Sequence, residues 1–195
     1  MDKIPYFLKR NVFSDTELSL IFDELQFLNN SYLMQPPENS GSARDDNGDR
    51  IKKNNGVFLR NVYSREDASS IIRLIKDRLS DFGMQYSKLH ISNLTAAGTN
   101  EIWFLVSYYE NGDHYKPHED ATFATALFWF NKEPQKFTGG DLTFNNTNEV
   151  VEYKNNTCVI FPGWARHSVS SVNYDGNGDR EGRYCVTVGL HIVPK

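Results

Sequence analysis

Residues 101–130 read EIWFLVSYYENGDHYKPHEDATFATALFWF, and this stretch decides the architecture. It holds two runs rich in β-branched and aromatic residues, EIWFLVSYY and ATFATALFWF, separated by the turn cluster ENGD. Such composition, bounded by Gly, Asn and Asp, marks strands. The pattern continues through GGDLTF, VVEY, TCVIF, HSVSSV and RYCVTVGLHI, with NKEPQKFTGG, NNTNE, KNN, PGW and NYDGNGDREG as breaks. Many short strands in succession predict a sandwich or barrel.

The last strand has two distinct faces. Arg183, Cys185, Thr187, Gly189 and His191 alternate with Tyr184, Val186, Val188, Leu190 and Ile192. The second set is wholly apolar and belongs against a core or helices. The first is more polar and carries one arginine, as the wall of a ligand cavity would.

Upstream the period changes. Ser14-Asp15-Thr16-Glu17 is a capping box, and Leu18, Ile21, Phe22, Leu25 and Leu28 follow at helical spacing. A second helix is expected from near Ser64, with Asp67 three residues on and Ile71, Leu74, Ile75, Leu79 and Phe82 as its apolar stripe. Between the helices, residues 35–56 are polar and rich in Gly, Asn, Asp and Pro. A structureless stretch of that length is either a connector or a lid, mobile until substrate binds. The 195 residues are expected to form a single domain, with helical support over 1–100 and a β core over about 101–195.

Composition narrows the function. A net charge of −4 argues against nucleic-acid binding, which needs a basic footprint. Cys158 and Cys185 sit in strand-like runs and read as buried small hydrophobes, not a disulfide framework. The N-terminus lacks the features of a signal peptide, and no apolar run reaches transmembrane length. The expectation is a soluble, cytoplasmic protein.

His118 and Asp120 are two residues apart and point the same way in an extended chain. His167 follows the turn Pro162-Gly163-Trp164. Two imidazoles and a carboxylate form a facial triad, which leaves three adjacent positions of an octahedral ion open; this set marks non-haem iron(II) oxygenases. His-x-Asp alone is a weak signal, but its surroundings are ordered. Tyr109, Gly112, Tyr115 and Pro117 lead into His118, Gly139-Gly140-Asp141-Leu142 follows a strand, Phe161-Pro162-Gly163-Trp164 precedes His167-Ser168-Val169, and Gly182-Arg183-Tyr184 opens the last strand.

From about Trp103 to Ile192 this ordered set resembles the prolyl 4-hydroxylase-like branch of the 2-oxoglutarate- and iron(II)-dependent dioxygenases. The resemblance implies an α+β, mainly β, fold: a double-stranded β-helix, or jelly roll, buttressed by N-terminal helices. It implies Fe(II) on His118, Asp120 and His167, and 2-oxoglutarate paired through its distal carboxylate with Arg183. Tyr109 matches a tyrosine near the cosubstrate, with Tyr108 the alternative. Thr125, Leu127 and Trp129 are expected to line the cavity, although an indole at 129 can donate but not accept. Ascorbate is a further cofactor the family suggests. The loop before Arg183 is longer than usual in this branch, so Arg180 competes for the carboxylate.

Of the remaining candidates, His114 reads as a surface residue, His191 as satisfied at a strand end, and His90 as a loop residue. Glu119 should point away from the metal. The implied reaction is hydroxylation with release of succinate and CO2, using O2 and a peptide or small-molecule substrate. A peptidyl proline is the first expectation, a free amino acid or other small molecule the alternative, and a non-catalytic cupin-like metal protein the reading outside enzymes. Neither nucleic acid nor membrane is expected as a partner, and oligomeric state is open.

Overall fold

The structure is a computed structural model that describes residues 3–89, 99–174 and 181–193. Its frame is two antiparallel sheets. Six strands run in the order β1 (Phe7–Arg10), β9 (Thr157–Pro162), β6 (Ala124–Phe130), β11 (Arg183–His191), β4 (Glu101–Tyr109) and β3 (Asn55–Phe58). Five run in the order β2 (Lys52–Lys53), β5 (His114–His118), β10 (His167–Val169), β7 (Leu142–Phe144) and β8 (Glu149–Val151).

Alternation sorts the side chains of the larger sheet into two cores. Leu127, Trp129, Phe161 and Cys185 face inward and pack with Leu142, Phe144 and Val169 of the smaller sheet. Phe144 meets Phe161 edge-on, ring centroids 5.4 Å apart, tying the sheets together. The opposite face of β6, β9 and β11, with Phe128, Phe130, Ile160, Val186 and Val188, is covered by helices α1 (Asp15–Asn30) and α3 (Ser70–Ser87). This is the double-stranded β-helix with outer helices that the sequence predicts. Both faces of β11 divide as its alternation requires.

The capping box forms: Glu17 N–H donates to Ser14 Oγ at 3.4 Å, and Ser14 N–H to Glu17 Oε2 at 2.9 Å. The second helix differs from expectation. Residues Glu66–Ala68 make a single 3-10 turn, and α3 starts at Ser70. Ser69 Oγ accepts from Ile72 N–H at 3.0 Å. It also donates to Glu24 of α1 at 2.6 Å, while the other Glu24 oxygen accepts from Ile71 N–H at 3.0 Å. A carboxylate from a distant helix completes this N-terminus, where negative charge suits the exposed N–H groups. Asp67, the local signal, is engaged with Arg65 instead.

Residues 35–56 are not structureless. They hold the short helix α2 (Pro37–Ser40), then β2 and the start of β3. Asp45 Oδ1 accepts from Asn47 and Asp49 N–H, closing a turn. Ile51 is buried, and its backbone bridges Ala43 and Lys116. Backbone pairing and turn chemistry anchor the segment where apolar periodicity is missing. Together with β1, these strands put part of the sheets within the first hundred residues, which periodicity alone assigns to helices. No helix among the described residues is long and apolar enough to cross a membrane.

Candidate metal and cosubstrate site

His118 ends β5 and His167 opens β10, and the antiparallel register sets them opposite each other. Asp120 follows in a loop held by its own N–H, which donates to Gly163 O at 3.0 Å. A Cβ on Gly163 would lie 2.0 Å from Thr122 O, so only glycine lets the two loops approach this closely. The ligand atoms of His118, Asp120 and His167 all lie within 4.8 Å of one another.

Each imidazole is oriented by its own backbone. His118 Nδ1 is 2.8 Å from Lys116 O, and His167 Nδ1 is 2.9 Å from Ala165 O. A carbonyl can only accept, so Nδ1 carries the proton and Nε2 keeps its lone pair. Those Nε2 atoms stand 3.6 and 3.7 Å from the two Asp120 oxygens. Burial, with His167 alongside, holds the His118 imidazole below its ordinary pKa. The His118 ring is therefore presented neutral to a cation. Thr125 Oγ1 donates to Asp120 Oδ2 at 2.6 Å and fixes the carboxylate. Tyr115 stacks on His118, centroids 3.6 Å apart. Fixed imidazole nitrogens beside one oriented carboxylate suit a divalent transition metal.

The triad opens into a cavity of about 400 Å³ that also receives Tyr109, Arg183, Cys185 and Leu127. Arg183 is 0% exposed, and no side-chain nitrogen of it has a hydrogen-bond partner among the described residues. Its guanidinium lies over the rings of Tyr109, Tyr153 and Trp129, at 4.7, 5.1 and 5.6 Å from their centroids. Cation–π contact holds such a group but satisfies none of its N–H donors. An unpaired buried cation costs several kcal/mol, so the site is built for an anion with two acceptors.

A glycine pair lies beside this arginine, and its second member leaves room for the side chain. Gly139 and Gly140 both have positive φ, +76° and +77°. A Cβ on Gly140 would meet Arg183 Cδ at 2.7 Å.

The sequence candidates divide. Tyr109 faces the cavity, whereas Tyr108 turns to the helix side, packs at a tilt against Tyr184 and accepts from Gly182 N–H at 3.2 Å. Of the β6 residues expected to line the cavity, only Leu127 does. Thr125 lies behind Asp120, where it orients the carboxylate. Trp129 is fully buried beneath Arg183, and its Nε1 has no partner among the described residues. Tyr153, which no sequence signal marks, completes the aromatic cage and donates to Asn131 Oδ1 at 3.2 Å. Glu119 is exposed at the cavity rim, away from the three ligand atoms. His191 accepts from Trp103 Nε1 at 2.5 Å, and His114 is half-buried outside the cavity. His90 and Arg180 lie outside the described residues.

Fold and donor set together define a double-stranded β-helix protein with a candidate three-residue metal site. The model of the family described as the 2OG-Fe(II) oxygenase superfamily matches residues 104–191, the span that holds all three ligands and Arg183. Over that span the chain matches this superfamily, and Fe(II) and 2-oxoglutarate are the cofactors the family implies. No curated protein matches the sequence. Among solved structures, a Pseudomonas putida prolyl-4-hydroxylase is similar with a TM-score of 0.70 at 12% identity, covering 98% of this chain and 95% of that one. A Trichoplax adhaerens prolyl hydroxylase, in complex with a hypoxia inducible factor oxygen degradation domain peptide fragment, has a TM-score of 0.65 at 13% identity, covering 97% and 84%. The non-haem α-ketoglutarate-dependent epimerase SnoN from nogalamycin biosynthesis has a TM-score of 0.60 at 13% identity, covering 96% and 79%. At these identities the solved structures speak for the fold.

Proposed function

We propose that the protein hydroxylates an organic substrate, with a peptidyl proline the leading candidate. His118, Asp120 and His167 would hold Fe(II), and Arg183 would take the distal carboxylate of 2-oxoglutarate. The observation that carries this reading is the buried, unpartnered Arg183 in the same cavity as the triad. A guanidinium pairs bidentately with a carboxylate, and the cage of Tyr109, Tyr153 and Trp129 keeps it in one plane. The peptidyl substrate is supported by the prolyl hydroxylases with this fold.

When bound, the metal and keto acid supply the oxidising chemistry with O2, and the overall reaction yields succinate, CO2 and hydroxylated product. The protein's own part is orientation and exclusion of water. Nδ1–H bonds fix both imidazoles, and Thr125 fixes the carboxylate. The segment Ser40–Ala43 forms one cavity wall and is tied to the metal side, since Ala43 N–H donates to Tyr115 Oη at 2.9 Å. We propose that it acts as the cover over the reacting centre.

The test is a screen of proline-containing peptides and free amino acids with Fe(II), 2-oxoglutarate and O2, read by mass spectrometry. The expected result is metal-dependent succinate, with one substrate class gaining an oxygen atom. A product of unchanged mass and inverted stereocentre would favour epimerisation. Absence of succinate under every condition would refute the oxygenase reading.

A second expectation concerns the glycine pair. Gly140→Ala forces a side chain into positive φ and against Arg183 Cδ. Misplacing the guanidinium should raise the 2-oxoglutarate requirement roughly ten- to a hundredfold. Metal affinity should stay near wild type, because the three ligands lie on other elements. An unchanged 2-oxoglutarate requirement would mean that Arg183 does not set it.

A further inference from the structure

Two polar side chains in the cavity wall have no part in holding metal or keto acid. Lys52 is 5% exposed, and its ammonium donates to Ser40 O, Ser40 Oγ and Gly41 O at 3.3, 3.1 and 3.0 Å. All three acceptors are neutral, and no carboxylate pairs with Lys52 among the described residues. Asn54 is 3% exposed, and both its Oδ1 and its Nδ2 lack any partner there. The two residues are two apart, and both line the cavity of the triad. Burying an amide without partners costs about 1–3 kcal/mol, so a fold keeps one where a ligand satisfies it.

From these residues we propose that Lys52 and Asn54 form a carboxylate-recognition subsite for the prime substrate. The inference rests on the reading of the site given above. There, the metal dication is balanced by Asp120 and the keto-acid carboxylate, and Arg183 by the distal carboxylate. Lys52 is left over. Glu119 does not compensate it, being exposed at the rim where water screens its charge. Lys52, Cys185 and Arg183 all line this one cavity. A substrate carboxylate would meet the Lys52 charge and accept from Asn54 Nδ2–H, and Asn54 Oδ1 would remain for a substrate donor. A neutral amide could satisfy Asn54 alone but would leave the buried ammonium uncompensated, so charge decides for the carboxylate.

Such a group could come from a free acid or from an acidic peptide. Two matched pairs separate these sources: N-acetyl-L-proline against its carboxamide, and the blocked dipeptide Pro-Asp against Pro-Asn. Each is titrated into protein loaded with Mn(II) and 2-oxoglutarate, where no turnover intervenes, and each is then assayed for hydroxylation with Fe(II). In at least one pair the carboxylate should bind about tenfold or more tightly than its neutral partner. That pair identifies the source. Lys52→Met should abolish the preference and Lys52→Arg should restore it. Asn54→Leu removes no side-chain hydrogen bond among the described residues, so this variant should fold at least as well as wild type while binding the carboxylate more weakly.

The assignment is overturned if no carboxylate is preferred in either pair, whether amides bind equally or no carboxylate binds at all. It is equally overturned if Lys52→Met and Asn54→Leu leave the preference intact. Failure of 2-oxoglutarate itself to bind the metal-loaded protein would instead remove the underlying reading of the site, and the subsite with it.

Discussion

His167→Ala is expected to abolish turnover and to weaken metal binding by at least ~100-fold, more than loss of an outer-shell contact costs such sites. The ring is buried, faces His118 across the β5–β10 register, and is aimed by Ala165 O. Its removal leaves one nitrogen and one carboxylate, too few protein ligands for a facial site. The same loss is expected for His118→Ala and Asp120→Ala. The fold should survive, because Phe161 packs against the His167 ring from a strand held on both sides by β1 and β6. Truncation there leaves a small cavity, with a cost of about 2–4 kcal/mol. Circular dichroism separates a folded, metal-free variant from an unfolded one. Succinate formation at the wild-type rate by folded His167→Ala, with Fe(II) at the wild-type concentration, would rule this ligand out.

The triad could be read from the chain because its signal is local on one side and punctuated on the other. Two residues of separation put His118 and Asp120 on one side, and Pro162-Gly163-Trp164 marks the turn that delivers His167. The strands from residue 101 onward were legible for the same reason, since alternation is written into each of them. The choice between Tyr108 and Tyr109 needed a reference face, which the pairing of Tyr109 with Arg183 across β4 and β11 provides.

Features that depend on distant partners were not legible. The start of α3 is fixed by Glu24 from another helix, so its own sequence pointed several residues too early. Thr125 was read as a cavity residue because alternation gives a face, not a depth; the carboxylate of Asp120 lies between it and the open space. Trp129 was placed in the cavity by the same logic, yet Arg183 and Tyr153 cover it. Tyr153 follows β8 in a run with no periodic pattern, and only the packing of the two sheets brings its ring to the cage. Lys52 and Asn54 sat in a polar segment with no apolar period, and the pairing of β2 with β5 that places Lys52 is not written into it.

Loss of Arg183 should separate cosubstrate binding from metal binding more sharply than any other change. Arg183→Met removes the buried guanidinium and fills much of its volume. Two charge-assisted hydrogen bonds to a carboxylate are worth roughly 3–5 kcal/mol together, which corresponds to a rise in the 2-oxoglutarate requirement of roughly a hundred- to several-thousandfold. Metal affinity should change little. Arg183→Lys keeps the charge but loses the fork, and it should fall between wild type and the methionine variant. Thermal unfolding supplies a check free of turnover. In wild type, 2-oxoglutarate should raise the melting temperature of the metal-loaded protein, because a ligand that binds only the native state stabilises it. In Arg183→Met that shift should vanish. Without ligand the same variant should melt no lower than wild type, and by the argument from burial somewhat higher, since it no longer holds an unpaired cation among three aromatic rings. Arg180→Ala is the control, expected to leave both the shift and the 2-oxoglutarate requirement unchanged. A wild-type ligand shift in Arg183→Met, or its loss in Arg180→Ala, would transfer the carboxylate from Arg183 to Arg180.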